Sequence, residues 1–441
     1  MESGDINEAL YNEIKPRGSQ PARLYGLAKV HKNGVPVRPV LSMPGSAYHR
    51  IAMKVSKWLS VVDECKIQSS TQAIATSLGA VELDDDEVLV SFDVSSLYTN
   101  VPVHEAIDVC TNFLFSGKYE TPPVSKETFK KLLTISTCDV LMLTHDGYYR
   151  QKDGLAMGSP PAPPLANGWL FNYDHRIRDN AKLYSRYMDD IIRSINKHVI
   201  DSKLREINNF HPCLKFTIEK EVNGELPFLD MKVLRSNGKL SSTWYTKPTD
   251  TGLIMNFHAV SPIKYKKSVV TGFVHRIYRA CSSWKYFHES LTKAKSILDQ
   301  NQYPKSFYEP LINRSLDRII NQVEKPDDEE ETTHKMFLQY RGQVTEDYLK
   351  ALNRIKAPCK VILTLRKMKT VLPSLKSDVE KALRSRIVYK ITCSRCSACY
   401  VGQTDRHFSV RFKEHIRPSQ PIGKHIRECG VNLDFENKDQ A

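Results

Sequence analysis

The stretch from Ser185 to Ile192, Ser-Arg-Tyr-Met-Asp-Asp-Ile-Ile, constrains this chain more than any other. It places two adjacent carboxylates in a short turn between segments that favour β-strands. Neighbouring aspartates repel each other, and a bound divalent cation offsets that repulsion. A solvated surface turn is the alternative interpretation, so the metal hypothesis depends on a third carboxylate in a matching setting.

Asp93 is that third carboxylate. The run Val88–Val94, Val-Leu-Val-Ser-Phe-Asp-Val, predicts a buried strand that ends beside it, and a turn and a helix follow. Two strands that are distant in sequence and each supply carboxylate are what a two-metal phosphoryl-transfer site needs. We therefore predict that Asp93, Asp189 and Asp190 form one site.

The two motifs resemble those of a reverse transcriptase palm, and their sequences are most similar to those of Penelope-like retroelements. Phe92–Pro102 resembles motif A and Tyr187–Asp190 resembles motif C. The resemblance implies an α+β right-hand polymerase of fingers, palm and thumb that copies RNA into DNA from dNTPs. It also implies that Asp93 and Asp189 hold two Mg²⁺ ions and that Asp190 assists. The telomerase catalytic subunit is a related but weaker match.

The same resemblance assigns nucleotide-binding residues. Tyr98 stands where the family has the ring that excludes a ribose 2′-hydroxyl, although a core tyrosine is the alternative. Asn33-Gly34 predicts a basic hairpin that resembles the fingers, in which Lys32 and Arg38 would bind the triphosphate.

The stretch Gly154–Asn167 resembles motif B, in which Gly158 and Ser159 would contact the template and the incoming base. It departs from the family at Ala162, where a second serine is usual, and at Pro164. Because proline is tolerated only in the first turn of a helix, we expect the helix to begin at or after Pro163.

Downstream, Glu225–Met231 resembles the motif that grips the primer, although Asp230 has a competing interpretation as a metal ligand. The basic, aromatic stretch Lys264–Tyr286 predicts a helical thumb that contacts a duplex backbone. Residues 324–333 are acidic and lack apolar side chains, as expected of a linker.

The composition indicates a nucleic-acid partner. The net charge is +14, with 41% hydrophobic and 26% charged residues over 441 positions, which is typical of a globular protein that binds a polyanion. No apolar run reaches the roughly 18 residues that span a bilayer, so we expect no membrane partner. The expected partners are an RNA template and a DNA primer or target, and the expected location is intracellular and nuclear.

The C-terminal segment resembles a GIY-YIG nuclease. Between residues 384 and 427, ten lysines and arginines stand against two acidic residues. The resemblance implies that Tyr389 and Tyr400 activate the attacking water and that Arg411 stabilises the scissile phosphate. No residue matches the family's metal-binding glutamate, so we expect weak or absent cleavage.

A zinc site is also predicted in this segment. Cys393, Cys396, His415 and His425 have ligand types suited to tetrahedral zinc, and Cys399 or Cys429 could substitute. Plain thiols are the alternative.

The predicted organisation has five parts. They are partial fingers (1–75), a reverse transcriptase palm (76–250), a helical thumb (251–323), a linker and connector (324–384) and an incomplete GIY-YIG-like domain (385–441). The alternative function is a non-catalytic, nucleic-acid-binding remnant of such a retroelement.

Overall fold

A computed structural model describes most of the chain. The described residues are 5–16, 19–30, 34–64, 70–138, 140–321, 334–355, 359–365, 376, 378–396, 398–430 and 433–437. The predicted linker at 324–333 and Lys32 lie outside these residues.

The palm is a four-stranded sheet with the strand order β6-β7-β3-β8. Its strands are β3 (Glu87–Val94), β6 (Tyr184–Tyr187), β7 (Asp190–Asn196) and β8 (Phe216–Lys220). The apolar run predicted around Val90 is indeed buried, since Leu89, Val90 and Phe92 are almost inaccessible. Burial on this scale is the main driving force that holds the sheet against its helices.

Helices cover the buried face of the palm. They are α1 (Glu8–Ile14), α2 (His49–Glu64), α4 (Leu97–Asn100), α5 (Val103–Leu114), α6 (Lys126–Thr137), α7 (Ala162–Arg178) and α8 (Ile200–Asn208). Trp169 on α7 is fully buried in this core. Helix α7 begins one residue earlier than predicted, because Pro163 and Pro164 both fit within its first turn.

A second sheet forms the fingers, with the order β2-β1-β4-β5. Its strands are β1 (Ala22–Ala28), β2 (Val37–Ser42), β4 (Leu141–Leu143) and β5 (Tyr148–Arg150). Strands β1 and β2 pair antiparallel as the hairpin prediction requires, with Ala28 opposite Val37.

The thumb and a three-stranded sheet share one further core. The sheet contains β9 (Glu225–Phe228), β10 (Met231–Ser236) and β11 (Lys239–Trp244). The helices packed on it are α3 (Thr71–Leu78), α9 (Ile263–Ala280), α10 (Trp284–Gln300) and α11 (Lys305–Ile320). The predicted thumb is therefore helical, as expected.

The remaining elements form two small units. The first is a parallel β-α-β unit of β12 (His334–Gln339), α12 (Gln343–Arg354) and β13 (Cys359–Thr364). The second is a sheet of β14 (Ile387–Cys393), β15 (Cys399–Thr404) and β16 (Leu433–Asn437) with α13 (Phe408–His415) and α14 (Pro421–Cys429). No helix within the described residues is both long and apolar enough to cross a membrane.

Candidate polymerase and C-terminal sites

Strand register brings the three predicted carboxylates to one end of the palm sheet. Strands β3 and β7 are antiparallel, with Asp93 opposite Asp190. Asp189 lies in the turn between β6 and β7, and the amide of Val94 donates a hydrogen bond of 3.3 Å to its carbonyl. Met188 holds the turn in the left-handed region at φ 57°, which is uncommon outside glycine.

The electrostatics of this turn suit a divalent cation. Burial, followed by the negative charges of Asp189 and Asp93, raises the pKa of Asp190 to about 6, although Lys247 opposes this shift. Three carboxylates therefore repel one another at a site where burial weakens solvation. Carboxylate oxygens are the ligands that Mg²⁺ prefers, so the residues present fit the predicted metal.

A buried arginine, Arg186, stabilises the turn between β6 and β7. Arg186 forms two hydrogen bonds of 2.7 Å to the carboxylate of Asp174 on α7. Its guanidinium also donates to the carbonyl of Met188 and to the amide oxygen of Asn167, each at 3.1 Å. This arrangement fixes the turn that carries Asp189, because a bidentate pair restricts the guanidinium plane.

The supporting role of these residues was not predicted from the sequence. Asn167 and Asp174 are seven residues apart, so they lie on one face of α7, and both are buried. Polar side chains two turns apart on a buried helix face, together with an arginine inside a β-strand, were the available signal.

Tyr98 lies close to the carboxylates. Burial raises the pKa of its phenol, and the negative charge of Asp189 raises it further. Its carbonyl accepts a hydrogen bond of 2.6 Å from the amide of Leu155 in the motif B segment. This segment is therefore joined directly to motif A, beside the position of the proposed sugar-sensing ring.

The two glycines of the motif B segment allow close backbone contact. Gly158 has φ +98°, and a β-carbon there would lie 2.4 Å from the carbonyl oxygen of Leu41 in the fingers. Gly154 has φ +75° and approaches Thr99 in the same way. Ser159 is buried next to Gly158. The structure thus joins fingers and palm at the predicted template-contact position.

Arg38 lies exposed on β2, opposite Leu27. Whether it reaches a triphosphate remains a prediction.

A cavity of about 500 Å³ opens beside the carboxylates, and its lining includes Asp93, Asp190 and Lys247. The turn between β9 and β10 also lines it, with Leu229 at φ 54°. Asp230, the competing metal ligand, lies in that turn with a carboxylate oxygen 3.7 Å from Nε of Arg276. This contact links the predicted primer grip to the thumb.

In the C-terminal unit, both predicted tyrosines lie on adjacent strands. Tyr389 is fully buried opposite Gly402, whose hydrogen atom leaves room for the phenol: a β-carbon would lie 2.6 Å from its oxygen. The rings of Tyr389 and Tyr400 are 6.3 Å apart. Arg411 donates a hydrogen bond of 2.9 Å to Glu414. Burial raises the pKa of Tyr389, and the hydrogen bond and charge of Arg411 only partly oppose this.

The predicted zinc set is wrong in one ligand. His415 is buried, with Nε2 2.5 Å from the phenol oxygen of Tyr389 and its ring 4.8 Å from that of Tyr400. Helix α13 directs His415 into the core between the tyrosines, so His415 is not part of the cluster of potential metal ligands.

Cys429 takes the place of His415. Ligand atoms of Cys393, Cys396, His425 and Cys429 all lie within 4.8 Å of one another. Backbone hydrogen bonding from Cys396 and a side-chain hydrogen bond from His425 lower the pKa of Cys393 to about 6. Because the thiolate is the metal-binding form, this three-cysteine, one-histidine set fits tetrahedral zinc.

The fold and the carboxylate site define a right-hand polymerase domain. Within that class, residues 30–221 match the family model described as reverse transcriptase (RNA-dependent DNA polymerase). Residues 253–313, which contain the first two thumb helices and part of α11, match a model described as an animal helix-turn-helix domain. No curated protein matched the chain.

Solved polymerases are structurally similar at low identity. Telomerase from Candida albicans, in complex with a fragment of telomeric RNA, has 8% identity over 72% of this chain and 62% of its own, with a TM-score of 0.45. Apo telomerase from Candida tropicalis has 10% identity over 69% and 62%, with a TM-score of 0.39. The Sicinivirus RNA-dependent RNA polymerase has 11% identity over 71% of each chain, with a TM-score of 0.41. This chain thus spans under two thirds of the length of both telomerases.

Proposed function

We propose that this protein is an RNA-directed DNA polymerase that adds dNTPs to a DNA primer on an RNA template. The observation that carries the proposal is the register that places Asp93 opposite Asp190, with Asp189 at the adjoining turn. This arrangement lies within the segment that matches the reverse transcriptase model.

Each residue of the site has a role in this proposal. Asp93 and Asp189 hold two Mg²⁺ ions and Asp190 assists them. When bound, the ions would activate the primer 3′-hydroxyl and neutralise charge on the departing pyrophosphate. Tyr98 lies below the sugar and excludes a 2′-hydroxyl by its bulk.

The remaining nucleotide contacts come from the fingers and motif B. Arg38 binds phosphate oxygens, because a guanidinium can make two parallel hydrogen bonds. The backbone at Gly158 and Ser159 lies against the template and the incoming base. Lys32 belongs to the same hairpin and is proposed from sequence alone.

Helix α9 supports binding of a primer–template duplex. It carries five lysines and arginines and no acidic residue. Such a helix neutralises phosphates without reading sequence.

We further propose that the chain derives from a Penelope-like retroelement and acts in the nucleus.

The C-terminal unit is proposed as a GIY-YIG-like DNA-binding module. The adjacent positions of Tyr389 and Tyr400, with Arg411 on the following helix, support this assignment. Zinc bound by the cysteine and histidine cluster would join α14 to the turn after β14.

Primer extension on an RNA template tests the polymerase. The parent chain and an Asp189→Ala, Asp190→Ala double variant are compared with Mg²⁺. Extension by the parent alone supports the proposal. If neither chain extends while both bind primer–template in a salt-dependent manner, the chain is instead a non-catalytic, nucleic-acid-binding remnant.

A further inference from the structure

A second cavity, of about 360 Å³, lies where α3 meets the turn between α9 and α10. Its lining includes Gln72 and Thr76 from α3 and Tyr278, Arg279 and Trp284 from the thumb. Gln72 and Arg279 also line the neighbouring cavity that contains Tyr187 and Asp230. The two cavities are therefore adjacent. The neighbouring cavity in turn shares Leu229 and Lys247 with the cavity at the carboxylates, so the three cavities form a continuous series.

Trp284 is the distinctive residue of this cavity. Its side chain is 50% exposed, whereas Trp169 and Trp244 are buried. Its ring is nonetheless held in place, with centroids 6.2 Å from Tyr278 and 5.3 Å from Phe287. An exposed indole supported by other rings can stack on a flat partner with little loss of side-chain freedom.

The surrounding charge selects the kind of partner. Arg279 lies in both cavities and is the last basic residue of α9, a helix without acidic side chains. The positive charge of this helix therefore favours a negatively charged partner, such as a nucleic-acid strand, over a peptide with few acidic residues. An aromatic platform beside cationic side chains is the usual means of binding unpaired bases.

We propose that this cavity binds an unpaired base of a nucleic-acid strand, stacked on Trp284, with the adjoining phosphate near Arg279. The site is separate from the carboxylates. The inference rests on the proposed function only for the identity of the strand as part of a primer–template.

Tryptophan fluorescence tests the stacking directly. The full chain is titrated with single-stranded oligothymidylate or oligouridylate and with a blunt duplex, without dNTP or Mg²⁺. Stacking on Trp284 should quench the parent's emission with single strands more than with the duplex. A Trp284→Phe variant should lose most of this quenching while still binding, because it retains a ring.

Affinity provides the second readout, measured by fluorescence anisotropy of labelled oligonucleotides. Trp284→Ala should weaken single-strand binding roughly tenfold and duplex binding by less than about twofold. Tyr11→Ala removes a comparably exposed ring on α1 and should change neither. If Trp284→Ala fails to fold, the quenching comparison with Trp284→Phe remains decisive.

Three outcomes separate this inference from the polymerase proposal. Equal single-strand affinity in the parent and both Trp284 variants, without quenching, would overturn the inference and leave extension unaffected. Quenching by single strands in a chain that does not extend primers would retain the base site and reject the polymerase. Quenching by neither nucleic acid would contradict the inference.

Discussion

The carboxylate of Asp190 should make the free energy of unfolding depend on pH. Its pKa of about 6 lies above that of an aspartate in an unfolded chain, so the folded state binds this proton more tightly. The free energy of unfolding should therefore fall as the pH rises through about 6 when no metal is present. Burial is the main cause of this fall, and bound Mg²⁺ would offset the carboxylate repulsion that adds to it.

Asp190→Asn should stabilise the metal-free protein. At about pH 8 with a chelator, we expect its free energy of unfolding to exceed the parent's by about 1 to 2 kcal/mol, because the amide carries no charge. Near pH 4 the parent's carboxyl is protonated as well, so the difference should vanish. Thermal unfolding at both pH values measures this, and a difference independent of pH would contradict the assigned cause.

Single residues were predictable where chemistry and spacing agreed. Asp93 and the Asp189-Asp190 pair could be assigned from strand propensity and charge alone. Arg186 was missed, because an arginine inside a β-strand and two polar residues on a buried helix face do not by themselves show that they contact one another. Its contribution to the site comes from its tertiary contact with Asp174.

Between elements, the fingers and palm meet at a backbone contact that only glycine allows. Gly158→Ala should strongly reduce extension, by about tenfold or more, because a β-carbon 2.4 Å from the Leu41 carbonyl requires the two elements to separate. Gly272→Ala is the matched control, since a β-carbon there has no neighbour within 4 Å. Extension rates at saturating dNTP measure both, and equal loss in the two variants would reject a local cause.

The zinc cluster depends on which helix supplies its last ligand. In the whole chain, Cys429→Ser should lose its bound zinc or bind zinc at least about tenfold more weakly. His415→Gln should retain zinc. Metal analysis after dialysis measures this, with Cys399→Ser as a control at an exposed thiol. Loss of zinc in His415→Gln but not in Cys429→Ser would restore the set predicted from sequence.

The position of His415 shows why the cluster could be predicted from the sequence but its fourth residue could not. The Cys393-Cys396 spacing predicted a cluster of potential metal ligands, and these two cysteines do lie beside His425 and Cys429. His415 and His425 are equally plausible by residue type, and only the packing of α13 against Tyr389 removes His415. Cys429 follows His425 by four residues, so α14 places both on one face.

For the whole molecule, the α+β right-hand fold was predictable because its motifs occur in a fixed order along the chain. The hairpin, the palm strands and the thumb helices follow one another in the predicted order. The predicted bounds do not match the packing, because β4 and β5 join the sheet of the fingers and α2 packs in the palm core. The β-α-β unit from His334 to Thr364 was not predicted, since neither of its strands has a buried residue. Its parallel pairing depends on a contact across the helix rather than on any local pattern.

The central claim is that Asp93 and Asp189 form the metal site of an RNA-copying polymerase. Asp230, which follows an apolar strand in the same way, provides a discriminating comparison.

The most direct test is primer extension on an RNA template over a range of Mg²⁺ concentrations, using the parent, Asp93→Asn and Asp230→Asn. We predict that Asp93→Asn abolishes extension at every concentration. Asp230→Asn should weaken primer binding but keep the parent's dependence on Mg²⁺. Extension by Asp93→Asn with an unchanged response to Mg²⁺ would contradict the account.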